Sequence, residues 1–306
     1  MIRRKALALL GAASLMPPAA YAQEFSITVS TTPVDSGGEP YFAYETGFFK
    51  EAGLNVTLVP ASNGAAIAAA VASGAVDVGN SNVVSIAQAH QKGIPFVIVA
   101  PGGLYNTRTP SAILMVPKKS TARSARDLGG KTIAVNTLRG LPQYGTQAWL
   151  DKHGGDSSTV RFVEMSSPDI LSALASERID AAVLVEPFVT PATQTATPIA
   201  HPFDAIAPAF LITAHFTTLD WARAHPAVVT RLQSVIVKTA AWANKNHDRS
   251  GQILMKYAKL NEDTLHTMLR TVFAERLDPA QIQPVIDLAA KYGGIPTFPA
   301  GELLYR

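Results

Sequence analysis

The sequence predicts an α/β fold made of two similar units with largely parallel sheets. Three observations predict it. Short apolar runs alternate with helical segments along most of the chain. The runs are continuous enough to be buried on both faces, as strands of parallel sheets are. A weak internal repeat also recurs at a spacing of 103 residues, with Ile67, Ala70, Ala72, Ser73 and Asp77 reappearing as Ile170, Ala173, Ala175, Ser176 and Asp180.

Taken in order, Phe25 to Ser30 alternates at period two and reads as a strand. A polar turn at Asp35 to Glu39 leads to Pro40, which opens a helix expected to run to Ala52 and stop at Gly53. Leu54, Val56 and Leu58 form the next strand. An Ala-rich helix from Ala65 to Ser73 precedes a strand at Ala75 to Val78, and a helix from Asn82 to Lys92 precedes a buried strand at Phe96 to Val99. The order then repeats. Strands are expected at Ala112 to Val116, Lys131 to Val135, Val160 to Val163 and Ala181 to Val185. Between them lie a helix from Leu141 to Lys152 and one capped by Ser167-Pro168-Asp169 that runs to Ser176. In the last ninety residues helices take over, at Pro226 to Asn246, Asn261 to Phe273 and Pro279 to Lys291.

The first 22 residues read as a secretory signal peptide. Arg3, Arg4 and Lys5 precede an apolar run, and Ala20-Tyr21-Ala22 supplies the small residues of a cleavage site before Gln23. The apolar run is too short to span a bilayer, and Pro17-Pro18 interrupts it. The paired arginines leave the Sec and twin-arginine routes both open. The 26 Lys and Arg fall by three on cleavage to match the 23 Asp and Glu, so a pI of about 9.0 carries no sign of a nucleic-acid partner. Cysteine is absent, so an exported chain of this kind relies on its core rather than on disulfides, and no lipobox cysteine stands at the cleavage site.

Motifs of enzymes are not found. No G-x-S-x-G elbow surrounds a serine, and no phosphate-binding glycine loop follows a strand. The seven histidines are scattered without metal-ligand spacing, and His215, in an apolar strand context, reads as a core or hinge residue. No cofactor and no metal are expected. What remains is a set of polar loops at the carboxyl ends of strands, where open α/β sheets bind ligands. These are Thr31-Thr32-Pro33, Asn63-Gly64, Asn80-Ser81-Asn82, Asn136 to Gly140, and Glu186-Pro187. Such residues at helix starts offer hydroxyls and backbone N–H groups to an anion; each also fits a plain N-cap.

Four segments resemble the nitrate/sulfonate/taurine class of ABC-transporter substrate-binding proteins. They are Glu45-Thr46-Gly47-Phe48-Phe49-Lys50-Glu51-Ala52-Gly53-Leu54-Asn55-Val56, Ser73-Gly74-Ala75-Val76-Asp77-Val78-Gly79, Asp127-Leu128-Gly129-Gly130-Lys131-Thr132-Ile133-Ala134-Val135, and Ile179-Asp180-Ala181-Ala182 with Glu186-Pro187. The resemblance implies a two-lobed type II periplasmic-binding-protein fold with mixed, mostly parallel sheets and two hinge crossover strands near 108–112 and 208–216. It places lobe 1 at 23–108 and 216–306 and lobe 2 at 109–215. It implies a monomer in the periplasm that captures a small, anionic organic ligand and delivers it to a permease and its ATPase, without catalysis. Ligand contacts are expected at Thr32, Pro33, Asn63, Asn80, Ser81, Asn136, Thr137, Gly140 and Glu186. Arg139 is the best-placed base, with Arg108 second, and Tyr41, Tyr44, Tyr105 and Tyr144 are candidates for an aromatic wall. Two alternatives stay open. One is an enzyme on the same fold, such as a synthase of the thiamine pyrimidine precursor, although those proteins carry a cysteine-rich segment and work inside the cell. The other is a ligand sensor for a signalling partner.

Overall fold

A computed structural model describes residues 24–259 and 262–306. The expected signal peptide and its cleavage site lie outside the described residues.

The chain begins with β1 (Phe25–Thr31), and two helices follow where one was expected, α1 (Glu39–Glu45) and α2 (Phe48–Glu51). Gly47 between them takes a left-handed φ of 80°, and the Thr46 hydroxyl donates to the Phe42 carbonyl at 2.7 Å, closing α1 early. Next come β2 (Leu54–Pro60), α3 (Gly64–Ala72), β3 (Val78–Asn82), α4 (Val83–Gln91), β4 (Phe96–Pro101), β5 (Gly103–Asn106) and β6 (Ala112–Pro117). The strand expected at Ala75 to Val78 is displaced, so Asn80, Ser81 and Asn82 end β3 rather than follow it. The chain continues with β7 (Thr132–Val135), α5 (Leu141–Lys152), β8 (Arg161–Glu164), α6 (Ser167–Ala175), β9 (Ala181–Val185), α7 (Val189–Ala192), β10 (Ala196–Ala200), β11 (Ala209–Leu211) and β12 (Thr213–Thr218). The cap of α6 is Ser166, one residue before the one expected. The last elements are α8 (Leu219–Ala224), α9 (Pro226–Ala243), α10 (His247–Ala258), β13 (Val272–Phe273) and α11 (Pro279–Gly293).

The helix expected at 261–273 is not formed, and α10 stands before it instead. Asp35 explains the difference. Its carboxylate accepts from the Thr271 amide at 2.5 Å and pairs with Arg270 at 2.8 Å, so that after a single 3-10 turn at Glu262–Thr264 the chain reaches β5 extended at Val272–Phe273. A buried ion pair with its hydrogen bonds satisfied outweighs local propensity.

The strands form two five-stranded sheets of matching order, β2-β1-β3-β12-β4 and β8-β7-β9-β6-β10. Each has one reversed strand, β12 in the first and β6 in the second, paired antiparallel to its neighbours. A third sheet, β11-β5-β13, lies on the connections between them, with Phe210 opposite Tyr105. The boundary expected at 215/216 falls inside β12, all of which stands in the first sheet.

The 103-residue repeat has a structural counterpart. The helices α3 and α6 occupy equivalent ranges, capped by Asn63 accepting from the Ala66 amide and by Ser166 accepting from the Asp169 amide. Each turn that follows holds a left-handed residue, Gly74 (φ 73°) and Glu177 (φ 55°). Asp77 then accepts from the Thr28 amide at 2.7 Å and Asp180 from the Thr132 amide at 2.9 Å, tying each turn to the first strand of its sheet.

Candidate functional site

The carboxyl ends of β1 and β3 face those of β7 and β9 across a cavity of about 50 Å³, room for a few water-sized groups. The first sheet contributes Thr32, Val34, Ser36, Gly64, Ile67, Asn80, Ser81, Asn82 and Thr213; the second contributes Asn136, Thr137, Leu141, Pro142 and Val185. None of these carries a formal charge. Three helix starts meet here, those of α3, α4 and α5.

The three starts differ in what is free. Asn63 caps α3. Asn82 caps α4 through the Ser85 amide, and the Ile212 carbonyl accepts from the Val83 amide. The N-cap of α5 is Gly140, which has no side chain to cap with. The positive end of the α5 dipole is therefore the least compensated at the cavity. Ser81 donates to the Gly64 carbonyl at 3.0 Å, which keeps its hydroxyl at the α3 start. A Cβ at Gly64 would run into Asn82 Nδ2 and Ser81 Oγ, so a side chain there would displace both from their places at the cavity wall. Thr213 accepts from the Gly103 amide at 2.9 Å and donates to the Ser36 carbonyl at 2.8 Å, fixing the loop that carries Thr32 and Ser36.

A second, more open cleft of about 370 Å³ adjoins it, lined by Ser62, Asn63, Asn136, Glu164, Met165, Ser166, Asp169 and Arg178. Asn136 lines both. Here the two sheets touch. The Glu164 carboxylate accepts from Asn63 Nδ2 at 3.2 Å and from the Leu138 amide at 2.8 Å.

Of the expected contacts, Thr32, Asn80, Ser81, Asn136 and Thr137 line the inner cavity and Asn63 the outer cleft. Pro33, Arg139, Gly140, Tyr41 and Glu186 line neither. Arg139 is exposed, and its amide donates to Gln143 Oε1 at 2.7 Å in a left-handed turn of φ 54°. Tyr41 is fully buried and stacks on Tyr257 at 4.1 Å; Tyr105 packs on Phe203 and Phe210, Tyr144 accepts from Gln88, and Tyr44 is exposed. No aromatic wall forms from them. Glu186 is buried, and its carboxylate accepts from the Thr190 hydroxyl at 3.0 Å and from the Thr190 amide at 3.2 Å. Burial pushes this carboxyl up to about 7, the Thr190 bonds oppose the rise, and nearby Asp35 adds to it. Its carbonyl accepts from the Asp35 amide at 2.9 Å, a second tie between the sheets.

Reasoning from sequence missed Ser36, Leu141, Pro142 and Thr213 as wall residues. Leu141-Pro142 was legible as a helix start with proline in its first turn. Thr213 carried no signal, because its place depends on a return crossover that composition does not mark.

Beneath the wall, His215 is fully buried with Nδ1 2.7 Å from the Pro101 carbonyl oxygen, the core position its strand context predicts. Among the described residues no group of three His, Asp or Glu side chains stands close enough to hold a metal ion.

Two sheets joined by crossovers, with a polar cavity at their facing strand ends, define the periplasmic-binding-protein fold. The chain belongs to the NMT1/THI5-like family, whose model matches residues 38–250. Among solved structures, the alkanesulfonate-binding protein SsuA from Xanthomonas axonopodis pv. citri, bound to MOPS, is similar with a TM-score of 0.77 and 17% identity, over 93% of this chain and 99% of that one. The periplasmic nitrate-binding protein NrtA from Synechocystis PCC 6803 is similar with a TM-score of 0.76 and 11% identity, over 92% and 84%. The Candida albicans CA3427 gene product, described as having the generic periplasmic binding protein fold, gives 0.70 and 13%, over 91% and 93%. No curated protein sequence matches the chain.

Proposed function

We propose that the chain is the solute-binding component of an ABC importer. In this reading it captures a small organic oxyanion, sulfonate-like or carboxylate-like, between two lobes and hands it unchanged to a membrane permease and its ATPase. The observation that carries the reading is the uncapped start of α5 at a neutral cavity lined by Thr32, Thr137 and the amide of Asn136. A helix start attracts an anion without a charged side chain, and hydroxyl and amide groups complete its hydrogen bonds. The inner cavity suits a compact head group, and the outer cleft gives space for the body of the molecule. The names of two structural relatives, an alkanesulfonate binder and a nitrate binder, support the same ligand chemistry.

The lobes, on this reading, are the two sheets with their helices. We draw lobe 1 as 23–108 and 213–306 and lobe 2 as 109–212, moving the second boundary so that β12 is whole. Residues 1–22 act as the export signal, with cleavage before Gln23, and the exported chain works as a monomer in the periplasm. Arg139, exposed beside the α5 start, is left as a long-range attractor for the ligand rather than a direct partner.

Titration calorimetry of the purified full chain with alkanesulfonates, small carboxylates, nitrate and pyrimidine precursors tests the proposal. One oxyanion is expected to bind with one-to-one stoichiometry and to be recovered unaltered by mass spectrometry. Failure of every oxyanion, or chemical conversion of a pyrimidine precursor, favours an enzyme instead.

A further inference from the structure

His215 on β12 and Asn80 on β3 stand directly opposite each other in an antiparallel register, which sets their side chains side by side. Both are buried. The imidazole Nδ1 lies 2.7 Å from the Pro101 carbonyl oxygen, which only accepts, so Nδ1 carries a proton. Burial pushes His215 down to about 4, although the Pro101 carbonyl opposes the fall. The Glu39 carboxyl, 4.0 Å from Nδ1, is driven well above the carboxylate range by its own burial. Burial thus favours the neutral form of each. The single ring proton is on Nδ1, and Nε2 is an acceptor.

Nε2 lies 3.0 Å from the Asn80 amide nitrogen, which donates to it. The reversed amide would set two acceptors against each other. The Asn80 carbonyl Oδ1 is thereby turned from the imidazole, on a residue that lines the inner cavity, and it has no hydrogen-bond partner among the described residues.

We infer that His215 is a positioning residue for recognition: it locks the Asn80 amide so that Oδ1 is the acceptor offered to the ligand, which therefore carries an N–H or O–H donor near its oxyanion. This rests on the binding role proposed above. A ligand without the donor leaves a buried acceptor unpaired, the mismatch by which polar sites discriminate most strongly.

Two measurements test it. Long-range ¹H–¹⁵N spectra of the full chain at pH 7 are expected to show His215 as the Nδ1–H tautomer; an Nε2–H tautomer or an imidazolium overturns the inference whatever the ligand. Competition calorimetry then compares 2-hydroxyethanesulfonate with its isostere propanesulfonate. The hydroxyl compound is expected to bind about tenfold tighter. His215→Leu is expected to bring that preference to about one while propanesulfonate affinity changes by less than about threefold. Equal binding of the pair by the wild type overturns the inference. Should His215→Leu not fold, Asn80→Ala is expected to bring the ratio of the two affinities to about one, whatever its effect on either affinity alone, and a ratio that stays near ten overturns the inference. Binding of neither sulfonate counts against the sulfonate reading, and the tautomer still decides the pairing.

Discussion

Glu186 stands one residue from the cavity wall, yet its carboxyl turns to Thr190. A motif match at Glu186-Pro187 locates the loop but not the direction of the side chain, which the helix start at Val189 captures. Arg139 shows the same limit: charge made it the natural partner for an anion, but its backbone turn sends it into solvent. The residues legible as wall contacts were the small ones, Ser81, Thr137 and Asn80, whose reach is too short to leave the strand end. Glu186 also gives a prediction. Its folded pKa of about 7 lies above its ordinary value, so the native state binds the extra proton. Its contribution to stability is full below the ordinary carboxylate range and is lost as pH rises through 7. Relative to Glu186→Gln, the wild type is expected to lose on the order of 3 kcal/mol between pH 4.5 and pH 8.5, from the size of the shift. Urea unfolding at both pH values reads the difference; parallel curves for the two proteins refute it.

At the scale of elements, the repeated unit of capped helix, left-handed turn, aspartate and strand builds both sides of the site. The Asp77 and Asp180 anchors were visible in the sequence because identical residues recur, and Asn63 was visible as a helix start; the cap Ser166 was placed one residue late, because Ser166 and Ser167 are both cap formers. Short strands such as β5, β11 and β13 left no periodic signal, since two to four residues cannot display one. The 261–273 stretch has helical spacing but is extended where Asp35 holds it, a tertiary decision no local pattern contains. The start of α3 offers an element-scale test. Gly64→Val puts side-chain atoms against Asn82 and Ser81 at the cavity wall. Ligand affinity is expected to fall at least tenfold, with a loss of stability of about 1–3 kcal/mol. Calorimetry and thermal unfolding of the variant measure both; unchanged affinity would remove the α3 start from the site.

For the whole molecule, two sheets of matching strand order face each other across one neutral cavity, and chain crossovers link them through β5 and β11. The sequence pattern was sufficient for the α/β class and for two similar units, because both follow from periodicity. The crossover geometry decides which strand ends face each other, and periodicity says nothing of it. The two units pack through α4 and α11 against α5, where Tyr292 stacks on Tyr144, and at the outer cleft the join between the sheets is polar, Glu164 with Asn63. Such a join can open for entry and close over a bound molecule. The central claim is that the oxyanion of the ligand sits between the sheets at the start of α5. A crystal structure of the full chain with its tightest sulfonate ligand, phased to show the anomalous signal of sulfur, tests it most directly. The account predicts a sulfur peak in the inner cavity, within hydrogen-bond reach of the Leu141 amide and the Thr32 and Thr137 hydroxyls. A peak elsewhere, with that cavity filled only by water, would contradict it.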